Sequence, residues 1–149
     1  MSIVEAVSEQ LKASMRARDA ARTSALRNIR AGFLLVMKED NSETLDDIKA
    51  IDVLRRQAKQ RQESIDAYSQ GGRAEMAAAE QAELAVILEF LPKLADADTT
   101  RAWIDEAIAA TGATSAKDKG KVMGVLMKAH KAELDGKLTQ QLLAERLGG

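Results

Sequence analysis

Apolar residues recur at helical spacing along nearly the whole chain, in blocks separated by short polar or glycine-containing breaks. Seven such blocks predict seven helices. Val4, Val7, Leu11 and Met15 follow Ser2 and Glu5, which have the spacing of a capping box. A second block carries Leu26, Ile29, Phe33 and Val36 and stops at Glu39-Asp40-Asn41-Ser42. The third opens at Asp46-Asp47, carries Ile48, Ile51, Leu54, Ala58, Ile65 and Tyr68, and closes at Gly71-Gly72. The fourth runs from about Arg73 to Phe90, with Met76, Leu84, Ile87, Leu88 and Leu91 on one side, and Pro92 ends it because proline disfavours helix in the residue before it.

Residues 93–98 read as a short linker. Asp98 or Thr99 is then expected to cap a helix holding Trp103, Ile104, Ala107 and Ile108, which ends at Gly112. Ser115 starts a lysine-rich helix with Val122, Met123, Leu126 and Met127. Asp135-Gly136 makes a turn into a last helix with Leu138, Leu142, Leu143 and Leu147. The expected fold is all-α. A four-helix N-terminal part, residues 1–92, is followed by a three-helix C-terminal part, residues 99–149. The second part is near the lower size limit for a self-sufficient core and should be the less stable, or lean on the first.

Composition agrees with this picture. Aromatic residues are 3% of the 149, which argues against a strand-rich fold. With 22 basic and 23 acidic side chains, no global charge drives the chain onto nucleic acid or membrane, so any such binding needs a local patch. There is no cysteine, which excludes disulfides, a thiolate nucleophile and the usual structural zinc sites. No apolar run approaches the roughly 20 residues that span a bilayer. The N-terminus MSIVEAVSEQ is unlike a secretory signal, so the expected compartment is the cytoplasm, without membrane attachment.

No catalytic constellation emerges. The single histidine, His130, falls within the arc of Val122, Met123, Leu126 and Met127 and reads as a packed, hydrogen-bonded core residue. There is no nucleophile elbow, phosphate loop or dinucleotide fingerprint. Glu80 and Glu83 lie three apart on one helix, but the Glu-x-x-His partner of helical metal sites is missing. The residues call for no cofactor and no metal.

Glu80 and Arg61 each fall inside the apolar arc of their helices. The Gly71-Gly72 turn should pack those helices antiparallel, and counting outward from it brings the two residues to similar depth. An interhelical ion pair between Arg61 and Glu80 is expected, the rival being that either side chain snorkels to the surface. With the pair formed, Glu80→Ala is expected to cost roughly 3–5 kcal/mol by stranding Arg61.

Charge is also uneven. On the sixth helix Lys117, Lys121, Lys128 and Lys131 fall within roughly 80° of one another, opposite the apolar arc. Lys119 adds to the charge, and Gly124 lies inside the stripe. A glycine there costs the helix about 1 kcal/mol relative to alanine, so a close approach by a phosphodiester chain or another helix is one reason for it. The plain alternative is a solvated charged face. Further basic residues (Lys12, Arg16, Arg18, Arg22, Arg27, Arg30, Arg55, Arg56 and Lys59) scatter over the first three helices without an aromatic platform. They either extend a nucleic-acid footprint or are simply surface; as a footprint the pattern suits contact with the backbone of folded RNA better than base stacking.

Two stretches carry a resemblance. One is Lys59-Gln60-Arg61-Gln62-Glu63-Ser64-Ile65 with Gly72-Arg73, Glu80, Glu83-Leu84 and Leu91-Pro92. The other is Gly112-Ala113, Ser115, Asp118, Gly120-Lys121-Val122-Met123-Gly124, Leu126-Met127 and Asp135-Gly136. In this order and spacing they resemble the YqeY-like family, and with it the C-terminal tail of the B subunit of aspartyl/glutamyl-tRNA amidotransferase. The resemblance implies the same four-plus-three helical arrangement and a role in holding tRNA, with Lys121 and its neighbours Lys117 and Lys128 as contacts. The catalytic core of the larger enzyme has no counterpart here, so a glutamine-dependent carbon–nitrogen ligase label would be inherited from the relative. Lys119 stands where relatives often have methionine, and Ala132-Glu133 replaces a common glycine-containing turn. The expected function is a non-catalytic tRNA-binding or tRNA-metabolism accessory. The alternative is an adaptor that docks on an amidotransferase or aminoacyl-tRNA synthetase without touching RNA, and a third reading is a subunit that acts only within such a complex.

Overall fold

The computed structural model describes residues 1–148, and they form helices and connecting turns, with no strand among the described residues. The chain divides into two compact units, the first spanning Met1–Leu91 and the second starting at Pro92.

In the first unit, α1 (Ile3–Arg16) opens on the capping box: the Ser2 hydroxyl accepts the Glu5 N–H at 3.1 Å, and Glu5 accepts the Ser2 N–H at 2.8 Å. α1 ends in a Schellman turn. The Arg18 N–H donates to Met15 O and the Asp19 N–H to Ser14 O, with Arg18 left-handed at φ 57°. Asp19 then caps α2 (Ala20–Glu39) by accepting the Arg22 N–H at 3.0 Å. The two helices are therefore joined by a minimal corner. It is tied inside by a buried 2.8 Å hydrogen bond between the Ser14 and Thr23 hydroxyls. The same Schellman turn closes α2 at Asn41 and α3 (Asp47–Gln70) at Gly72. Asp46 caps α3. The Gly71-Gly72 turn folds α4 (Ala74–Glu89) back against α3.

The core of this unit is built on Val7, Leu11, Leu26, Ile29, Phe33, Leu54 and Ile87. Gly32 is part of the packing. A Cβ there would lie 2.3 Å from Gln57 Nε2 and 3.0 Å from Val53, so the glycine lets α3 approach α2 and lets the Gln57 amide reach the Asn28 carbonyl at 3.2 Å. Several residues expected inside are outside: Met15, Ile48, Met76 and Leu88 are all exposed. On α4 the buried positions are Ala77, Val86 and Ile87, a stripe displaced from the one expected. That helix is apolar on most sides, so its own pattern selects no inner face, and the packing of α2 and α3 decides.

The second unit begins earlier than the expected linker allows. The Ala95 N–H donates to Glu133 O at 2.8 Å, and α5 (Ala97–Thr111) starts inside the 93–98 segment. Its cap is Asp96, whose carboxylate accepts the Thr99 N–H at 2.8 Å, in place of Asp98 or Thr99. Gly112, at φ 70°, ends α5. A single 3-10 turn, Ala116–Asp118, leads into α6 (Lys119–His130), and Asp135 caps α7 (Gly136–Leu147). The turn before Asp135 forms without glycine, with the Glu133 N–H donating to His130 O. Ile104, Ala107, Val122, Leu126, Leu142 and Leu143 make a separate core. Among the described residues no helix is long and apolar enough to cross a membrane.

Candidate nucleic-acid interface

The α6 face is set by the turn that precedes it. Asp118 Oδ2 accepts the N–H groups of Thr114 at 3.0 Å and Ser115 at 3.4 Å, which orients the first turn of the helix. The Thr114 hydrogen bond, helped by Ser115 and Lys121, holds the Asp118 carboxyl below its ordinary range despite partial desolvation. Inward, Val122 and Leu126 are fully buried. Outward, Lys117, Lys121, Gly124, Lys128 and Lys131 are exposed, whereas Lys119 is half-buried and falls on the side of Val122 and Leu126, outside the stripe. Lys121 Nζ lies 4.0 Å from Asp118, so one acid sits at the start of the basic stripe. Among the described residues Lys117 and Lys128 have no ion-pair partner.

Two glycines lie in this face. A Cβ at Gly120 or at Gly124 would meet nothing within 4 Å. Neither residue has a left-handed backbone or a crowded neighbour to account for it. Val125 and Met127 border the stripe and are 36% and 41% exposed. Met127 was expected in the core. It sits at the margin of the apolar arc, where the neighbouring helices do not reach.

His130 is half-buried, and its environment differs from the hydrogen-bonded core position expected. Its ring stacks on Trp103 with centroids 3.7 Å apart and planes 4° apart, joining α6 to α5 through ring faces.

In the first unit Arg61 Nη1 lies 3.0 Å from Glu80 Oε2 and 2.9 Å from Glu83 Oε2. The directed hydrogen bond goes to Glu83, while Glu80 Oε2 is buried with a charge contact and no hydrogen bond. The side chains of Arg61 and Glu80 are 29% and 20% exposed, so the cluster is lined with protein but still wetted. Asn28 donates to Glu83 at 3.3 Å, which brings α2 into the same cluster. Glu83 is the member that helix-wheel reasoning missed. Its i, i+3 spacing from Glu80 was the available signal, because those positions share a helix face. Among the described residues no group of three His, Cys, Asp or Glu could hold a metal ion.

The stripe and the Arg61 cluster belong to different units and do different things. The cluster joins three helices of one bundle, whereas the stripe meets solvent. A family model described as Yqey-like protein matches residues 4–147. No curated protein matches the chain.

Proposed function

The chain belongs to the YqeY-like family, and from that premise we propose that it is a non-catalytic accessory of tRNA metabolism that holds folded RNA by its phosphate backbone. The contact surface is the outer face of α6. The observation that carries this reading is the pair of open glycines, Gly120 and Gly124, among exposed Lys117, Lys121 and Lys128. A helix with glycine on its solvent face gives up stability for no internal gain. It offers a place where another backbone can come close, between cations that attract phosphate. The near-balanced net charge of -1 favours weak binding, or binding within a larger assembly. The two units act as separate domains in this reading, and the protein works in the cytoplasm beside its RNA. The sequence likeness to the amidotransferase tail supports tRNA as the RNA and supports a partner enzyme that supplies any ligase chemistry.

A second reading rests on Val125 and Met127, the exposed apolar side chains that border the stripe. They favour a protein surface, with the chain acting as an adaptor on an amidotransferase or aminoacyl-tRNA synthetase.

Filter binding to total tRNA across a salt series distinguishes the two. RNA binding predicts affinity that falls steeply with salt, and the double variant Lys121→Ala/Lys128→Ala should bind more weakly, with its log–log salt slope reduced by roughly 1.5–2. Absence of binding at low salt overturns the RNA reading. Recovery of a synthetase or amidotransferase after nuclease treatment would then establish the adaptor.

A further inference from the structure

The corner between α1 and α2 forms an open surface depression of about 530 Å³, floored by buried Thr23 and rimmed by exposed Arg18, Arg27, Ser24 and Asn28, with Met15 and Ala20 as its apolar part. No carboxylate is among the lining side chains. The two arginines come from different elements, Arg18 from the turn and Arg27 from the second turn of α2. Among the described residues neither has an acidic partner. Arg27 Nη2 is directed at the Met15 sulfur at 3.6 Å, a weak acceptor. Arg22, nearby on the same helix, shows what a satisfied arginine looks like here. It binds Glu89 through both Nη atoms at 2.7 and 3.1 Å, and Gln10 at 3.1 Å.

Arg18 is also an unusual residue for its position. Three helix ends of this unit close with the same pair of Schellman hydrogen bonds, and their left-handed residues are Arg18, Asn41 and Gly72. Glycine and asparagine adopt that conformation at low cost, and arginine does not. The backbone tolerates Arg18 where a smaller residue would be easier, and the result is a guanidinium on the rim of the depression.

We infer that this corner binds a small organic phosphate, a monoester of about mononucleotide size. The phosphate sits between the Arg18 and Arg27 guanidiniums, with the Ser24 hydroxyl as a further donor, and the organic part lies against Met15 and Ala20. Guanidinium groups match phosphate oxygens with paired, charge-assisted hydrogen bonds. The volume exceeds what bare phosphate needs and falls within the roughly 300–1,000 Å³ of small-molecule sites. This inference stands apart from the α6 surface and would survive the loss of that reading.

The test is an amide NMR titration of the full chain with AMP, inorganic phosphate and adenosine. AMP should shift amides clustered between Arg18 and Asn28, inorganic phosphate the same amides more weakly, and adenosine none of them. Arg18→Gly and Arg27→Gln should each weaken AMP roughly tenfold, the factor that corresponds to about 1.4 kcal/mol. Arg18→Gly removes the guanidinium while giving the left-handed turn its preferred residue, so an unchanged or raised melting temperature separates lost binding from lost structure. The inference is overturned if millimolar AMP moves no cluster of amides there, or if the two variants bind AMP as the parent does.

Discussion

The two units differ in how far charge ties their helices together. The first ties its helices together with ion pairs, from the exposed Lys49–Asp40 to the partly buried Arg22–Glu89 and Arg61 with Glu80 and Glu83. Those contacts join α2 to α3, α2 to α4 and α3 to α4. The second keeps the lysines of α6 on its solvent face and includes two glycines in that face, without packing benefit. Its cohesion comes from a smaller apolar core, the Trp103–His130 stack and one exposed ion pair between helices, Arg146 with Asp105 at 3.1 Å. A charge spent on a neighbouring helix contributes to the fold, and a charge left outward is available to a partner.

The largest effect that tests this contrast is in the small core. Leu143 is fully buried in the second unit, and Leu143→Ala should cost about 3–4 kcal/mol. For so small a core that is most of its stability. Hydrogen exchange should then show α5 to α7 losing protection while α1 to α4 keep theirs. Equal loss in both units would mean that they unfold as one, and the contrast between a self-tied bundle and a marginal one would fail.

Next in size is Arg61→Ala. The pair is about three-quarters buried, so the fully buried figure does not apply. The variant leaves two carboxylates facing each other without a cation, and a loss of about 2–3 kcal/mol in urea denaturation is expected, between the buried and exposed limits. Lys121→Ala should stay within about 0.5 kcal/mol of the parent, as exposed side chains do. If the arginine variant also changed stability by less than about 0.5 kcal/mol, the cluster would be no more structural than the stripe.

Much of the helical framework was legible because helix ends are local chemistry. Ser2 with Glu5, Asp46, Gly71-Gly72, Gly112 and Asp135 announce their turns through hydrogen bonds or backbone conformations that few other residues supply. Where several residues could serve, pattern fell short. Asp96 and Asp98 are both reasonable caps, and only the backbone path selects Asp96. The Arg18 turn left no signal, since arginine is not a residue that marks left-handed positions. Burial was harder still. Met15, Ile48, Met76, Leu88 and Met127 fit helical arcs, yet what lies opposite each one is decided by other helices. For the stripe, the outward placement of Lys121 and Lys128 was readable from angle alone, because α6 is regular from Lys119 to His130, whereas Lys117 lies in the 3-10 turn before it. The Arg18–Arg27 depression was not, since it depends on how α1 meets α2.

The smallest expected effect bears most directly on function. Gly124→Ala adds a methyl group that meets nothing within 4 Å, on a regular helix. The fold should gain about 0.5–1 kcal/mol from reduced backbone entropy of the unfolded chain. If the glycine is there so that a phosphate backbone can approach, the same methyl group stands in the way, and tRNA affinity should fall although every lysine remains. Stability and binding then move in opposite directions in a single variant, which loss of charge or loss of fold would not produce. Parallel melts and tRNA titrations of Gly124→Ala read both quantities. A variant more stable than the parent and equally able to bind would leave the lysines as a sufficient account of the RNA contact and remove the close-approach argument.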